Sequence, residues 1–200
     1  MAKSIPSDET ETPPELFREL ASRYALGTFD LDAAASHVNA LAVEYYTQDG
    51  CYTRAEGWRR LTTHDGLSGE WYGAVWCNPP YSDIRPWIEK AWREMADGDR
   101  VKTVVMLLPA RTDAPWWRDL VEPYREGGGV LGAGPESYPG ASDVRLAVEF
   151  RGRVHFLRNG QPIPATDDEG RPLLRKDGTP RRGSPRFGIA VLVWSRQPAE

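Results

Sequence analysis

Asn78-Pro79-Pro80-Tyr81 is the stretch of this 200-residue chain in which residue type and order come closest to specifying a reaction. It directly follows an apolar run at 72–77, and open α/β sheets bind ligands beyond the carboxyl ends of their strands. An exocyclic amine on a planar ring is a poor nucleophile because its lone pair is delocalised into the ring. Acceptors aimed at its two N–H groups favour a pyramidal nitrogen and stabilise the positive charge that develops on attack. The Asn78 side-chain carbonyl and the Pro79 main-chain carbonyl are acceptors of that kind. Each proline fixes its own φ and holds the residue before it extended, so the acceptors are rigid. Tyr81 offers a π-face on which a ring flipped out of a duplex would stack. Asn78, Pro79, Pro80 and Tyr81 therefore form the candidate catalytic group, for methyl transfer to a ring amine. The bland alternative is a proline-rich turn with a surface tyrosine.

Around this group the sequence predicts alternating elements. Thr12 caps a helix that starts at Pro13-Pro14-Glu15 and repeats Leu16, Phe17, Leu20 and Tyr24 at helical spacing. A strand is predicted at 29–33, a helix at 34–46, a strand at 72–77 and a helix at 84–95. The unbroken apolar run at 101–108 reads as a central parallel strand buried on both faces. A helix follows at 116–124, a glycine-rich loop at 127–140, and strands at 144–150, 153–157 and 188–194. From Cys51 to Gly69 the signal is weak, and no repeat of solenoid length is present. This pattern predicts an α/β fold, doubly wound and mostly parallel, closed by antiparallel C-terminal strands. Residues 1–11 read as a disordered tail and 12–196 as a single domain, with a basic Gly/Pro-rich loop at about 159–186.

The net charge of −4 excludes a uniformly basic nucleic-acid coat, but the charge is uneven. Residues 1–50 hold three Lys/Arg against nine Asp/Glu, whereas 151–186 hold nine against four. Arg153, Arg175, Lys176, Arg181, Arg182 and Arg186 lie in that basic stretch and are candidate phosphate contacts; a solvated loop is the alternative. Asp32, at a strand end, is a donor-site candidate or a helix cap. Asp65-Gly66 is a turn pair unless it serves the same site. Arg111 and Asp113, past the run at 101–108, either pair with each other or hold substrate. Trp116 and Trp117 either stack a base or belong to the core. Cys51 and Cys77 lack metal-type spacing, the three histidines are scattered, and no metal site is expected. No apolar run reaches the roughly 20 residues of a membrane span, and the start has no signal-peptide pattern. A cytoplasmic protein without a membrane partner is expected.

The ordered motifs resemble the phage-type DNA N-6-adenine-methyltransferase (Dam) family. They run from Thr12-Pro13-x-x-Leu16-Phe17 through Phe29-Asp30-Leu31-Asp32-Ala33-Ala34-Ala35 with Asn39, Asp65-Gly66-Leu67 and Asn78-Pro79-Pro80-Tyr81-Ser82. Trp87-Ile88-x-Lys90-Ala91, Leu107-Leu108-Pro109-Ala110-Arg111-Thr112-Asp113, Gly152-Arg153-Val154-x-Phe156 and Ser184-Pro185-Arg186-Phe187 follow. The resemblance implies a Rossmann-like methyltransferase sheet, S-adenosylmethionine as donor, and adenine N6 in double-stranded DNA as acceptor by base flipping. It implies that Asn78, Pro79 and Tyr81 hold the target base, with Ser82 beside them. Thr12 and Pro13 would line the methionine pocket, Asp32 with Ala33 and Ala34 would face the methionine or ribose, Asp65 would reach the donor's adenine, and Asn78 would border it. A monomer or weak homodimer is expected, in host cytoplasm if phage-encoded. Ala33-Ala34-Ala35-Ser36 stands where a Gly-x-Gly turn is usual, so the ribose-binding acid is not fixed, with Glu44 as one guess. Rival readings are methylation of an RNA adenine or a protein amide, or a non-catalytic DNA-binding module on the same scaffold.

Overall fold

The computed structural model describes residues 10–127, 134–183 and 187–196. An eight-stranded sheet runs through it in the order β4-β3-β2-β1-β5-β6-β10-β7. The centre is β2 (Glu44–Thr47), β1 (Leu31–Asp32), β5 (Gly73–Cys77) and β6 (Val101–Pro109), all parallel. On one side, β10 (Ile189–Arg196) runs antiparallel to β6, and β7 (Val144–Arg151) antiparallel to β10, as the sequence predicts. On the other side, β3 (Gly50–Thr53) and β4 (Arg59–Thr62) continue β2 as an antiparallel meander, in the region of weak signal.

Strand alternation divides the core into two layers. Ala74, Trp76, Val105, Leu107, Val191 and Val193 face α1 (Pro14–Tyr24), which buries Phe17, Leu20 and Ala21 against them. Phe17 meets the Trp76 ring edge-on at 5.5 Å. Val75, Cys77, Val104, Met106, Leu108, Ala190 and Leu192 face α2 (Arg85–Ala96) and α3 (Pro115–Leu120). The period-2 pattern therefore supplies both faces from single strands, and helices cover both, as a doubly wound sheet requires.

Several elements differ from the sequence expectation. Residues 34–46 are not a helix: they form turns and then β2. The Asp32 carboxylate accepts from Leu41 N at 3.0 Å and Ala34 N at 3.4 Å, and Asn39 Oδ1 accepts from Ser36 N at 2.6 Å. Side-chain acceptors thus take amides that a helix would need. Pro13, not Thr12, stands at the N-cap of α1, and no side chain caps that end. The helix predicted at 116–124 ends at Leu120, and its α-turns give way to a wider turn in which Glu122 N also bonds Trp117 O. The strand expected at 153–157 shrinks to β8 (Leu157–Arg158), paired with β9 (Gln161–Pro162). Glu11, counted with the tail by sequence, is bridged to Leu157.

The basic stretch is an arm inserted between β7 and β10. Those strands pair from Arg151↔Ile189, and Ile189 pairs with Pro109 at the carboxyl end of β6, so the arm stands at the end of the sheet where Asn78 follows β5. Gly160, Gly170 and Gly178 each have φ between 70° and 82° and each has a proline two residues on. A left-handed glycine makes each reversal without strain. The last two reversals fold the arm into three segments closed in a ring: Ala165 N bonds Arg181 O, Arg181 N bonds Leu173 O, and Leu173 N bonds Ala165 O, at 2.7–2.8 Å. The arm is hydrogen-bonded structure rather than an unpaired loop. Among the described residues no helix is long and apolar enough to cross a membrane.

Candidate active site

A cavity of about 440 Å³ opens at the carboxyl ends of β1, β2 and β5. Its wall includes Thr12, Asp32, Ala33, Ala34, Asp65 and Asn78, six of the seven residues expected at the donor site. Pro13 is not on that wall; it holds the start of α1. Among the described residues, four acidic ones line the cavity (Glu11, Asp32, Asp49 and Asp65) and no Lys or Arg does. Such a wall attracts a cation and repels a pyrophosphate.

Asp32 is 3% exposed, and burial pushes its carboxyl up to about 6 despite the two amides it accepts from. Asp65 closes its own turn: its carboxylate accepts from Ser68 Oγ at 2.6 Å and Ser68 N at 2.8 Å. Those bonds hold its carboxyl below the usual range. Gly66 sits where a Cβ would come within 2.0 Å of Ala33 O, so two walls of the cavity meet backbone to backbone. Thr12 is 5% exposed, and its Oγ1 is buried without a hydrogen-bond partner. A buried hydroxyl in that state fits a ligand that brings a polar atom to it. Its capping role is therefore replaced by a place on the wall.

Asp49 is the acidic residue that sequence reasoning missed. It is exposed at the β2–β3 turn and accepts from Thr47 Oγ1 at 2.5 Å and Tyr52 Oη at 2.9 Å. Those bonds lower its pKa, so it is ionised at the rim. Reading 34–46 as a helix hid the end of β2, where this position would have been sought. Glu44 instead accepts from the Tyr72 hydroxyl and is absent from the wall.

Asn78 borders a second region. Tyr81 Oη donates to Asn78 Oδ1 at 3.0 Å, and burial raises the Tyr81 hydroxyl well above its ordinary value. The Tyr81 ring lies against Phe156 at 6.3 Å and Phe187 at 6.2 Å, both tilted steeply to it. Pro80 reaches the cavity wall, while Pro79 is buried behind the loop. Neither phenylalanine was given a role from sequence; only the fold of the arm and of β10 brings them to Tyr81.

Other candidates stand further off. Ser82 occupies the turn after Tyr81, outside the cavity. Arg111 and Asp113 face each other at 3.8 Å on the surface, which favours mutual pairing. Trp117 is fully buried and donates to Glu122 at 2.9 Å, so it is core. Arg153 is exposed. Arg175, Arg181 and Arg182 surround, with His155, a polar depression on the arm, and Lys176 is exposed beside them. Arg186 lies outside the described residues.

A parallel α/β centre with its ligand cavity beyond the strand ends defines a Rossmann-like protein. The comparisons narrow it, because the family model described as DNA N-6-adenine-methyltransferase (Dam) matches residues 2–165. The chain belongs to that family. It is 34% identical over 113 residues to a DNA N-6-adenine-methyltransferase of Escherichia phage T1, a match covering 56% of this chain and 40% of that protein. The matched region thus spans less than half the length of that relative. A solved structure from Pyrococcus horikoshii, described as a candidate RNA methyltransferase, is 15% identical at a TM-score of 0.49, covering 98% of this chain and 91% of the other.

Proposed function

We propose that the protein transfers a methyl group from S-adenosylmethionine to N6 of adenine in double-stranded DNA, acting on a base flipped out of the helix. The observation that carries this reading is the position of Asn78, which borders the acidic cavity and is also bonded to Tyr81 in the aromatic corner. A donor in one region and a ring amine in the other would meet at its amide.

The cavity suits the donor. S-adenosylmethionine bears a sulfonium and an ammonium against one carboxylate, and among the described residues the wall has Asp32, Asp49 and Asp65 with no Lys or Arg. Thr12 Oγ1 offers an unused hydroxyl, Asp32 faces the cationic end, and Asp49 takes the ribose hydroxyls. When bound, the donor supplies an activated methyl group. The chain's own work is positional. Asn78 Oδ1 has a second lone pair for an N6–H, and the Pro79 carbonyl takes the other, stabilising charge on the nitrogen as it is attacked. Tyr81 presents ring surface to the flipped base, with Phe156 and Phe187 packed against it. The basic arm beside them meets backbone phosphates, an attraction that is independent of sequence.

Incubating the protein with methyl-labelled donor and mixed-sequence duplex, then digesting to nucleosides, should release labelled N6-methyldeoxyadenosine. Asn78→Ala should lower the rate by about 10²–10³-fold. Label found only in RNA or in protein would hand the site to those substrates. Wild-type rates in Asn78→Ala would refute the assigned chemistry.

A further inference from the structure

The arm is fastened to the wall of the donor cavity at Glu11. Glu11 N donates to Leu157 O at 2.8 Å, and Leu157 N donates to Glu11 O at 2.9 Å. The Glu11 side chain adds two more bonds. Its Oε1 accepts from Asn159 N at 2.8 Å and its Oε2 from Gly160 N at 3.0 Å. Asn159 and Gly160 have φ of 50° and 70°, so both turn amides point outward to one carboxylate. Four hydrogen bonds thus converge on one residue. In its own segment, Glu11 sits between Thr10 and Thr12, and all three line the cavity. On the facing strand, Phe156, next to Leu157, lies against Tyr81. Beyond the turn come the arm segments that carry Arg175, Arg181 and Arg182.

We propose that Glu11 is a positioning residue that couples donor occupancy to the grip on nucleic acid. The inference rests on the methyl-transfer reading for the identity of both ligands. A donor that engages the orphan Thr12 hydroxyl fixes the strand at 10–12. The fixed strand holds Leu157 and the Asn159-Gly160 turn, and these set the base of the basic arm and the Phe156 side of the aromatic corner. Duplex therefore binds the loaded protein more tightly than the empty one, and by linkage duplex tightens donor binding by the same factor.

Two readouts test it. With fluorescent duplex and S-adenosylhomocysteine as a non-reacting occupant, the DNA Kd of the wild type should tighten on the order of tenfold. In Glu11→Ala that ratio should fall to within about twofold of unity, and Glu11→Gln, which keeps one carbonyl acceptor, should retain part of it. A purely structural role would lower Tm in Glu11→Ala and leave the ratio intact. The second readout uses no DNA: amide exchange at Asn159 and Gly160 should slow when S-adenosylhomocysteine is added to wild type, and not in Glu11→Ala. A wild-type ratio of one, an unchanged ratio in Glu11→Ala, or exchange indifferent to the ligand overturns the coupling. Failure of wild type to methylate any nucleic acid overturns the proposed function instead, and the exchange result still judges the fastening.

Discussion

Asp32 offers a quantitative check on the donor cavity. Its carboxyl lies at about 6 in the folded protein against an ordinary value of 3.8, chiefly because it is buried. A carboxyl raised on folding stabilises the native state most at low pH, where both states are protonated, and that advantage fades as pH rises through the folded value. Linkage between those two values gives a loss of about 2 kcal/mol between pH 4.5 and 7.5. Asp32→Asn does not titrate, so the stability difference between wild type and variant isolates the effect from every other group. Urea unfolding of both proteins across that range should show the wild type losing about 2 kcal/mol relative to the variant. Donor affinity should move the opposite way. The ionised form is about a tenth of the empty wild type at pH 5 and about nine-tenths at pH 7, so binding of a cation that needs the carboxylate strengthens about tenfold. A stability difference that stays flat, or a donor affinity that does not change with pH in wild type alone, would refute both the burial of Asp32 as a carboxyl and its role toward a cation.

Three further perturbations probe other parts of the structure. Gly66→Ala would drive a Cβ into Ala33 O, now 2.0 Å from that point, with the Trp87 ring at 3.1 Å; stability should drop by about 1–3 kcal/mol and donor affinity with it, both readable by calorimetry. Glu94 is 4% exposed and meets Lys90 at 2.5 Å and Arg100 at 2.9 Å, so Glu94→Gln should destabilise by about 3–5 kcal/mol in urea titration, while Lys90→Met with Glu94→Leu should be milder. A Glu94→Gln protein of wild-type stability would show that the buried Lys90 finds another partner. Arg181→Ala with Arg182→Ala should reduce the slope of log K for duplex against log salt by about 2, and an unchanged slope would place the arm away from the phosphates.

The strands that carry the site were legible because their cores declare themselves. The run at 101–108 and the run at 72–77 each have to be buried on both faces, and the two layers of apolar side chains show why. The loop residues Asn78 to Tyr81 stood out by chemistry alone. The region from 34 to 46 was misread for a local reason: Asp32 and Asn39 spend their side-chain acceptors on backbone turns, which composition does not reveal. Tyr45 and Tyr46 then pair with Tyr52 and Cys51 across a hairpin, a contact outside any helical window. That error concealed Asp49. Glu11, Phe156 and Phe187 were hidden differently, because their partners lie far along the chain and only the folded arm brings them together.

The arm leaves the sheet at Arg151 and returns at Ile189, which are direct cross-strand neighbours in an eight-residue antiparallel ladder. Its two ends are therefore already fixed by the core, and the entropy of closing the loop grows only with the logarithm of its length. The polypeptide between them behaves as a cassette: it can be shortened, extended or exchanged for that of a relative without disturbing β7 or β10. The docking of its first turn on Glu11 and the packing of Phe156 and Phe187 on Tyr81 constrain the exchange. The outer turns at Gly170 and Gly178 can thus vary in length while Phe156 and Phe187 keep their places against Tyr81.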